Sequence, residues 1–231
     1  MDDPMRSLEI ELTQLAAQVE AQLSRAITAF ERRDVATAEA VVSADEKIDG
    51  LHIQIERRVM KVLEEGGLDE KGLREVMATM KVAGELERVG DLAKNVGKRT
   101  LVISRERPSK AASGVTRMGR ASLRQIADIL TAYSSRNIVA ARAVWGGDDD
   151  LDELYNSVFR EILQEMMEDS TAVNACTHLV FIAKNYERVG DHATNIAEAL
   201  HFLVTGDFID GVRPKGDDTA VTSVAPPANE H

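Results

Sequence analysis

The chain has 231 residues, of which 44% are hydrophobic and 29% are charged, a composition typical of a soluble globular protein and not of a disordered or membrane-embedded one. Aromatic residues make up only 4%, which favours a helical core of Leu, Ile, Val, Ala and Met over a β-rich core. The net charge of −11 gives the chain no overall attraction for nucleic-acid phosphates, so we predict no nucleic-acid partner and expect cations or basic protein surfaces instead.

The cysteine content and the N-terminus bear on where the protein works. Cys176 is the only cysteine, which excludes an intramolecular disulfide and favours a reducing compartment, and we predict that it is a buried apolar side chain. Met1-Asp2-Asp3-Pro4 lacks the basic start and apolar segment of a signal peptide. No run approaches the ~20 apolar residues of a membrane span. We therefore expect a cytoplasmic protein whose membrane association is peripheral, through partners only.

Apolar residues at helical spacing predict three helices in the first half of the chain. The first helix covers residues 5–33. The second runs from about residue 35 to 65, where Gly66-Gly67 stops it. Asp69 has the character of an N-cap for a third helix, which extends to Ser104 and is roughly 36 residues long.

The second half repeats this order after a break at Pro108-Ser109. We predict helices at 114–136, at 138–168 with a candidate interruption at Gly146-Gly147, and at 170–205. No segment alternates apolar and polar residues as a strand does. The predicted fold is all-α, with two tandem pseudo-symmetric three-helix bundles of six long antiparallel helices. Their bounds are residues 5–107 and 108–211, followed by a disordered tail at 212–231.

One nonapeptide occurs twice in the chain with two differences. Glu87–Asn95 reads ERVGDLAKN, and Glu187–Asn195, which lies 100 positions later, reads ERVGDHATN. A repeat at a fixed interval indicates a duplicated supersecondary unit. Its Glu, Asp and Asn recur at i, i+4 and i+8, so on a helix they share one side, and we expect that side to face outward or into a groove. The glycine within each copy predicts that something approaches the backbone closely there.

A second acidic pattern accompanies the first on the preceding helix. Asp45 and Asp49 match Asp148 and Asp152 at an offset of 103 positions. Because the offset falls from 103 to 100 between the two patterns, the second half should have three fewer residues in the intervening loop. Each half thus supplies two pairs of acids on two consecutive antiparallel helices.

Such pairs suit divalent metal binding. Carboxylates at i and i+4 repel each other, and their oxygens are hard ligands for Mg, Ca, Mn or iron. The alternative is a solvated acidic face neutralised by ion pairs. Nearby basic residues would serve that alternative: Arg88 and Lys94 in the first copy, and Lys184, Arg188 and His192 in the second.

A ferritin-like metal oxidase is a further alternative. His201 follows Glu198 by three positions, the spacing found in ferritin-like diiron sites, and His52 follows Asp49 in the same way. The counterparts of the histidines are Leu101 and Tyr155, so the feature is not duplicated, and we expect surface or satisfied histidines. No nucleophile elbow, phosphate loop or cysteine pair is present, and we predict that the chain is not an enzyme.

The doubled ERVGD motif, with the acids at 45, 49, 148 and 152 and Phe202–Gly206 near the end, resembles the PhoU family over residues 5 to 210. The resemblance implies a regulatory accessory protein of phosphate-specific transport that acts negatively on phosphate uptake and on the phosphate-starvation response. It implies the metal ligands Asp45, Asp49, Glu87, Asp91, Asp148, Asp152, Glu187 and Asp191, with Asn95 and Asn195 less central. The metal would be divalent or transition, such as Fe, Mn, Mg or Zn.

The resemblance also implies partners. A PhoU-like protein is expected to act as a cytoplasmic adaptor between the phosphate ABC transporter, through its ATPase subunit PstB, and a PhoR-type sensor histidine kinase. A homodimer is expected as well. A metal-free helical scaffold remains an alternative within the same fold.

Overall fold

The computed structural model describes residues 4–209, apart from the side chains of Pro4 and Asp148. In this range it contains α-helices and no strand, which confirms the predicted all-α class. The predicted tail at 212–231 lies outside the described residues. The helices are α1 (Pro4–Arg32), α2 (Val35–Glu65), α3 (Glu70–Ile103), α4 (Ala112–Ser134), α5 (Ile138–Gly146), α6 (Asp148–Glu168) and α7 (Val173–Thr205), with a 3-10 helix at Ser170–Ala172 before α7.

The helices form two bundles that pack side by side. The first consists of α1, α2 and α3, and in the second α5 and α6 together take the place of one long helix beside α4 and α7. The interruption falls at Gly147, as the glycine pair predicted. The bundles meet where α3 packs against α7 and α1 packs against α4. Among residues 4–209 no helix combines the length and apolarity needed to cross a membrane.

Matching caps begin equivalent helices in the two halves. The Asp34 carboxylate accepts a hydrogen bond from the Thr37 amide at the start of α2, and Asn137 accepts one from the Ala140 amide at the start of α5. The Asp69 carboxylate caps α3 in the same way, as predicted. Four residues separate α2 from α3, and Asp169 alone separates α6 from the 3-10 helix that leads directly into α7. The predicted shortening by three residues is therefore seen when the 3-10 helix is counted as the first turn of the last helix.

The predicted apolar stripes form the core. On α1, the apolar residues at helical spacing are all buried except Ala16, which is half-buried; the buried ones are Leu8, Leu12, Leu15, Val19, Leu23, Ile27 and Phe30. Cys176 is buried and free, as expected. The α4 backbone approaches its neighbours so closely at Gly119 that a Cβ there would lie 2.9 Å from Cζ of Tyr186 and 3.0 Å from Cγ1 of Ile27. The glycine therefore sets the spacing of α1, α4 and α7.

The N-terminus of α4 is capped by a carboxylate from another helix. Glu165 on α6 accepts hydrogen bonds from the Ser109 hydroxyl (2.6 Å), the Lys110 amide (3.1 Å) and the Ala111 amide (3.1 Å). Burial raises the pKa of Glu165, but these hydrogen bonds outweigh burial and hold the pKa below its usual value. The contact fixes the linker between the bundles to α6.

Replacing this cap tests its contribution to stability. We expect Glu165→Gln to lower the free energy of unfolding at pH 7 by about 1–2 kcal/mol, because charge-assisted bonds to three donors are weakened. Since the folded-state pKa is depressed, the wild-type advantage is complete above the ordinary value of 4.5 and disappears as pH falls through the lower folded-state value. Urea denaturation at several pH values measures it.

Glu153→Gln, at an exposed position of α6, is the matched control and should change stability little at any pH. A loss in Glu165→Gln that stayed constant down to strongly acidic pH would contradict the role of the charge.

Candidate functional site: two acidic grooves

The eight predicted acids lie along the hairpins of the two bundles. The first acidic groove, between α2 and α3, carries Asp45, Asp49, Glu87 and Asp91. The second acidic groove, between α6 and α7, carries Asp148, Asp152, Glu187 and Asp191. Within the described residues α2 packs only against α1 and α3, so the first groove lies on the flank of its own bundle, away from the second bundle.

Burial differs among these acids. Asp45, Asp152 and Glu187 are buried, whereas Asp49, Glu87, Asp91 and Asp191 are half-buried. The side chain of Asp148 lies outside the described residues. Three of the acids therefore lie within the grooves and not on the outer surface, which is one of the two orientations expected for the repeated motif. The reason is helical periodicity: Asp45 is four residues after Val41 and three before Ile48, so it shares their buried side.

A lysine occupies the first acidic groove. The Lys94 ammonium donates hydrogen bonds to Oδ2 of Asp45 and, at 2.8 Å, to Oδ1 of Asp91. These two hydrogen bonds raise the pKa of Lys94 above its usual value, so the side chain stays charged. The Gln22 amide lies 3.4 Å from the other oxygen of Asp45. One pair of acids in this groove is thus bridged by a cation from the protein itself.

The remaining acids of the first groove surround Glu87. Burial, followed by the negative charge of Asp91, raises the pKa of Glu87. The charge of Asp49 acts in the same direction, whereas Arg88 and His52 oppose it. Arg88 forms long ion pairs, 3.5 Å to Glu87 and 3.7 Å to Asp91. The basic residues that flank the motif therefore do neutralise part of this groove, as the alternative of an ion-paired acidic face requires.

The second acidic groove has no lysine at the matching position. Thr194 replaces Lys94, and its hydroxyl donates to the carbonyl of Gly190 (3.1 Å). Burial raises the pKa of Glu187 to about 7, with the charges of Asp191 and Asp152 adding to the rise and Lys184 opposing it. One carboxylate oxygen of Glu187 pairs with Lys184 at 3.0 Å, while the buried Oε2 has no hydrogen-bond partner among the described residues. An unsatisfied buried oxygen of this kind disfavours the charged carboxylate, in agreement with the raised pKa of Glu187.

The close approach predicted at the repeated glycine is seen at Gly90. A Cβ on Gly90 would lie 3.1 Å from two side-chain carbons of Ile48, so α2 packs directly on the α3 backbone there. The Gln22 amide also donates to the Gly90 carbonyl at 3.3 Å. The glycine thus lets α2 and α3 approach each other, which brings Asp45 within reach of Lys94.

Neither groove is a complete metal site in the described residues. No three His, Cys, Asp or Glu side chains in this part of the chain converge closely enough to hold an ion. Glu198, from the ferritin-like alternative, lies 3.7 Å from Lys81 and accepts a 3.4 Å hydrogen bond from the Trp145 indole. His201 is buried, and its Nδ1 lacks a hydrogen-bond partner in the described range, so it is neither a surface nor a fully satisfied histidine.

Glu85 is a functional candidate that the sequence analysis missed. From α3 it reaches the second bundle, where it accepts hydrogen bonds from Nδ1 of His192 (2.6 Å) and the amide of Asn195 (3.0 Å) on α7. Burial raises the pKa of Glu85, but these two bonds outweigh it and lower the pKa. Asn195 therefore turns toward the partner bundle. The sequence held one signal for Glu85: the matching position in the second copy is Asn185, so the acid is not repeated.

The chain is similar to proteins of known family. The model of the PhoU domain matches it twice, at residues 12–100 and 115–200. The phosphate-specific transport system accessory protein PhoU homolog of Caulobacter vibrioides is 42% identical over 216 residues, covering 93% of this chain and 94% of that protein. The protein of the same name from Rhizobium meliloti is 36% identical, covering 95% and 93%.

Solved structures agree with this similarity. The crystal structure of PhoU from Pseudomonas aeruginosa superposes with a TM-score of 0.86 at 27% identity, covering 88% of this chain and 98% of that chain. The crystal structure of the phosphate transport system regulatory protein PhoU from Streptococcus pneumoniae gives 0.82 at 27% identity, covering 89% and 97%.

The lysine bridge can be tested by removing each partner. We expect Lys94→Met to destabilise the protein by about 2–4 kcal/mol, because the buried Asp45 carboxylate loses its cation. Adding Asp45→Asn should recover most of that loss, since the uncompensated charge is then gone. Urea denaturation of the two single variants and the double variant measures the coupling, and additive effects would show that the bridge does not stabilise the fold.

Proposed function

The chain belongs to the PhoU family, and on that premise we propose that it is an accessory protein of phosphate transport that negatively regulates phosphate uptake and the phosphate-starvation response. The observation that carries this proposal is similarity over nearly the whole chain, 93% of it in the Caulobacter vibrioides relative, whose name is that of a phosphate-specific transport accessory protein. Similarity that spans both bundles supports transfer of the whole regulatory role rather than of a single domain.

We further infer that the protein is an adaptor. Its partners are the phosphate ABC transporter, through the ATPase subunit PstB, and a PhoR-type sensor histidine kinase, and the chain acts as a homodimer. The duplicated hairpins support the adaptor role, because they present two acidic surfaces of related geometry to basic patches on partners. An adaptor needs no catalytic group, in agreement with relatives named as accessory and regulatory proteins.

Metal binding is proposed for the second acidic groove. Its chemistry fits a hard divalent cation, since the buried Oε2 of Glu187 is unsatisfied and the nearby charges of Asp152 and Asp191 raise the pKa of Glu187. Asp148, on α6 with Asp152, is the remaining ligand that the sequence predicts for this groove. A bound cation would supply the positive charge that Lys94 supplies in the first groove. The lysine bridge in the first groove therefore supports the metal-free alternative for that groove, and the unsatisfied carboxylate in the second groove supports metal binding there.

Regulation by the acidic motifs can be tested with one combined variant. The changes are Glu87→Gln, Asp91→Asn, Glu187→Gln and Asp191→Asn. We expect an intact fold, because each replacement is nearly isosteric, together with derepressed phosphate-responsive genes, because the charges that dock partners are lost. A transcriptional reporter in cells grown with abundant phosphate measures the effect.

The matched control neutralises four exposed acids on the outer sides of α2 and α6: Glu46, Glu64, Asp150 and Glu153. It removes the same charge but leaves both grooves unchanged, so repression should persist. Full repression by the combined groove variant, confirmed as folded by circular dichroism, would show that the grooves are not the working surface.

The asymmetry of the grooves predicts one metal ion per chain. We expect Mn²⁺ titration of the protein stripped with EDTA to show one site, which Glu187→Gln with Asp191→Asn removes and Glu87→Gln with Asp91→Asn leaves intact. Lys94→Thr, which copies the second groove into the first, should add a second site. Isothermal titration calorimetry and elemental analysis give the stoichiometry, and two equal sites in the unmodified protein would disprove the asymmetry.

A further inference from the structure

A second concave site lies at the junction of the bundles, and its charged residues are mostly basic, unlike those of the acidic grooves. It opens where α1 ends, the linker 104–111 passes and α4 begins, with α7 beneath, and we call it the arginine cleft. Its volume is about 450 Å³. Phe30, Ile103 and Leu179 line it and are nearly fully buried, so it has an apolar floor.

Four arginines and one acid line the arginine cleft: Arg33, Arg107, Arg117, Arg120 and Glu31. Two of the arginines are engaged. Arg33 donates to the carbonyls of Ile103 (2.6 Å) and Glu106, and Arg120 pairs with Glu31 at 2.5 Å.

The other two arginines, Arg107 and Arg117, are exposed, and in the described range no direct ion pair engages either of them. Acids lie near both: the charge of Arg107 helps to lower the pKa of Asp169, and Glu161 lies beside Arg117 at Gly114. The chain has a net charge of −11, whereas the residues lining this cleft carry a net positive charge.

The internal duplication supplies a comparison cleft within the same molecule. Arg33 and Arg136 are 103 positions apart, and both have a left-handed backbone, with φ of 54° and 53°. Around Arg136 the matching cleft, of about 320 Å³, is lined by Glu9 and Glu20 as its other charged residues. Thr13 and Ala17 stand there where the arginine cleft has Thr116 and Arg120. The fold therefore forms such a cleft with only the one shared arginine, Arg136, and only the cleft at Arg33 has further arginines.

The donors of the arginine cleft are side chains rather than a free helix end. The amides of Lys110 and Ala111 before α4 are already bonded to Glu165, so they are not open to a ligand. The guanidinium groups of Arg107 and Arg117 and the exposed Ser113 hydroxyl remain. Guanidinium groups bind phosphoryl oxygens through two parallel hydrogen bonds, which makes phosphate their best-matched small anion.

We propose that the arginine cleft binds a phosphorylated small molecule of nucleotide size, with the phosphoryl group at Arg107 and Arg117 and the organic part on the apolar floor. The volume lies within the usual range for small organic ligands, about 300–1,000 Å³, and far exceeds what inorganic phosphate alone would fill. Because α1 belongs to one bundle and α4 and α7 to the other, the ligand bridges both repeats. The inference goes beyond the adaptor role, since it needs neither transporter nor kinase.

Isothermal titration calorimetry on the full chain, with EDTA present to keep metal from the acidic grooves, tests the site. The probes are ATP, AMP, adenosine and inorganic phosphate. We expect ATP or AMP to bind at least about ten times more tightly than adenosine or inorganic phosphate. Arg107→Ala with Arg117→Ala should weaken nucleotide binding by about 10- to 100-fold, because both phosphoryl contacts are lost.

Two further variants separate a built site from general electrostatics. Arg142→Ala with Arg160→Ala removes the same charge from exposed positions of α5 and α6 outside the cleft and should leave affinity unchanged. Ser113→Glu places a carboxylate at the cleft within the first turn of α4, where it favours the helix, and should abolish binding while keeping stability. Absence of heat with both nucleotides, binding of inorganic phosphate as tight as that of AMP, or equal weakening in the two double-arginine variants would each overturn the proposal. None of these outcomes depends on whether the protein represses phosphate-responsive genes.

Discussion

The packing of α3 against α7 is the constraint on which the rest of the molecule depends. Each helix is the last of its own bundle, and each carries one copy of the repeated motif. Each must therefore bury apolar residues both against its own bundle and against the other copy. A charge inside such an interface is tolerated when it is fully bonded. Glu85 meets that condition through His192 and Asn195. This polar contact fixes the register of the bundles and thereby the relative placement of the two acidic grooves.

Within each hairpin, small side chains control how closely the charges approach. Gly90 lets Ile48 rest on the α3 backbone, and that approach brings Lys94 of α3 against Asp45 of α2. Without the lysine, the carboxylates of Asp45 and Asp91 would repel each other strongly, because the effective dielectric between the helices is lower than in water. The first groove offsets the repulsion with its own ammonium, whereas in the second groove the pKa of Glu187 is raised, so its charged form is disfavoured. The same backbone thus carries two different electrostatic solutions.

Sequence reasoning predicted the fold well because the fold depends on periodicity and capping, which are local. Asp69 and the glycines at 146 and 147 marked helix boundaries directly, and the changed offset between repeats located the shorter loop before Ser170. The side chains of the grooves were harder. Spacing on α3 placed Glu87 and Asp91 on one side, but whether Lys94 turns toward Asp45 depends on how α2 packs, which no single-helix pattern contains. Glu85 was missed for the same reason, because its partners lie more than 100 residues away.

Duplication explains why this chain holds sites of opposite charge on similar scaffolds. After a duplication, the two copies of a hairpin have the same residue at each matching position. The fold requires only that the apolar residues and the glycines be retained. Polar positions at groove and cleft margins are then free to diverge, because an exposed substitution changes stability little. Arg120 against Ala17 is such a divergence at an exposed position. Lys94 against Thr194 also changes the local charge, but there the lysine compensates the buried Asp45 carboxylate, so this substitution affects stability. A pseudo-symmetric backbone can therefore offer distinct binding chemistry at matching places, which is what a protein with several partners requires.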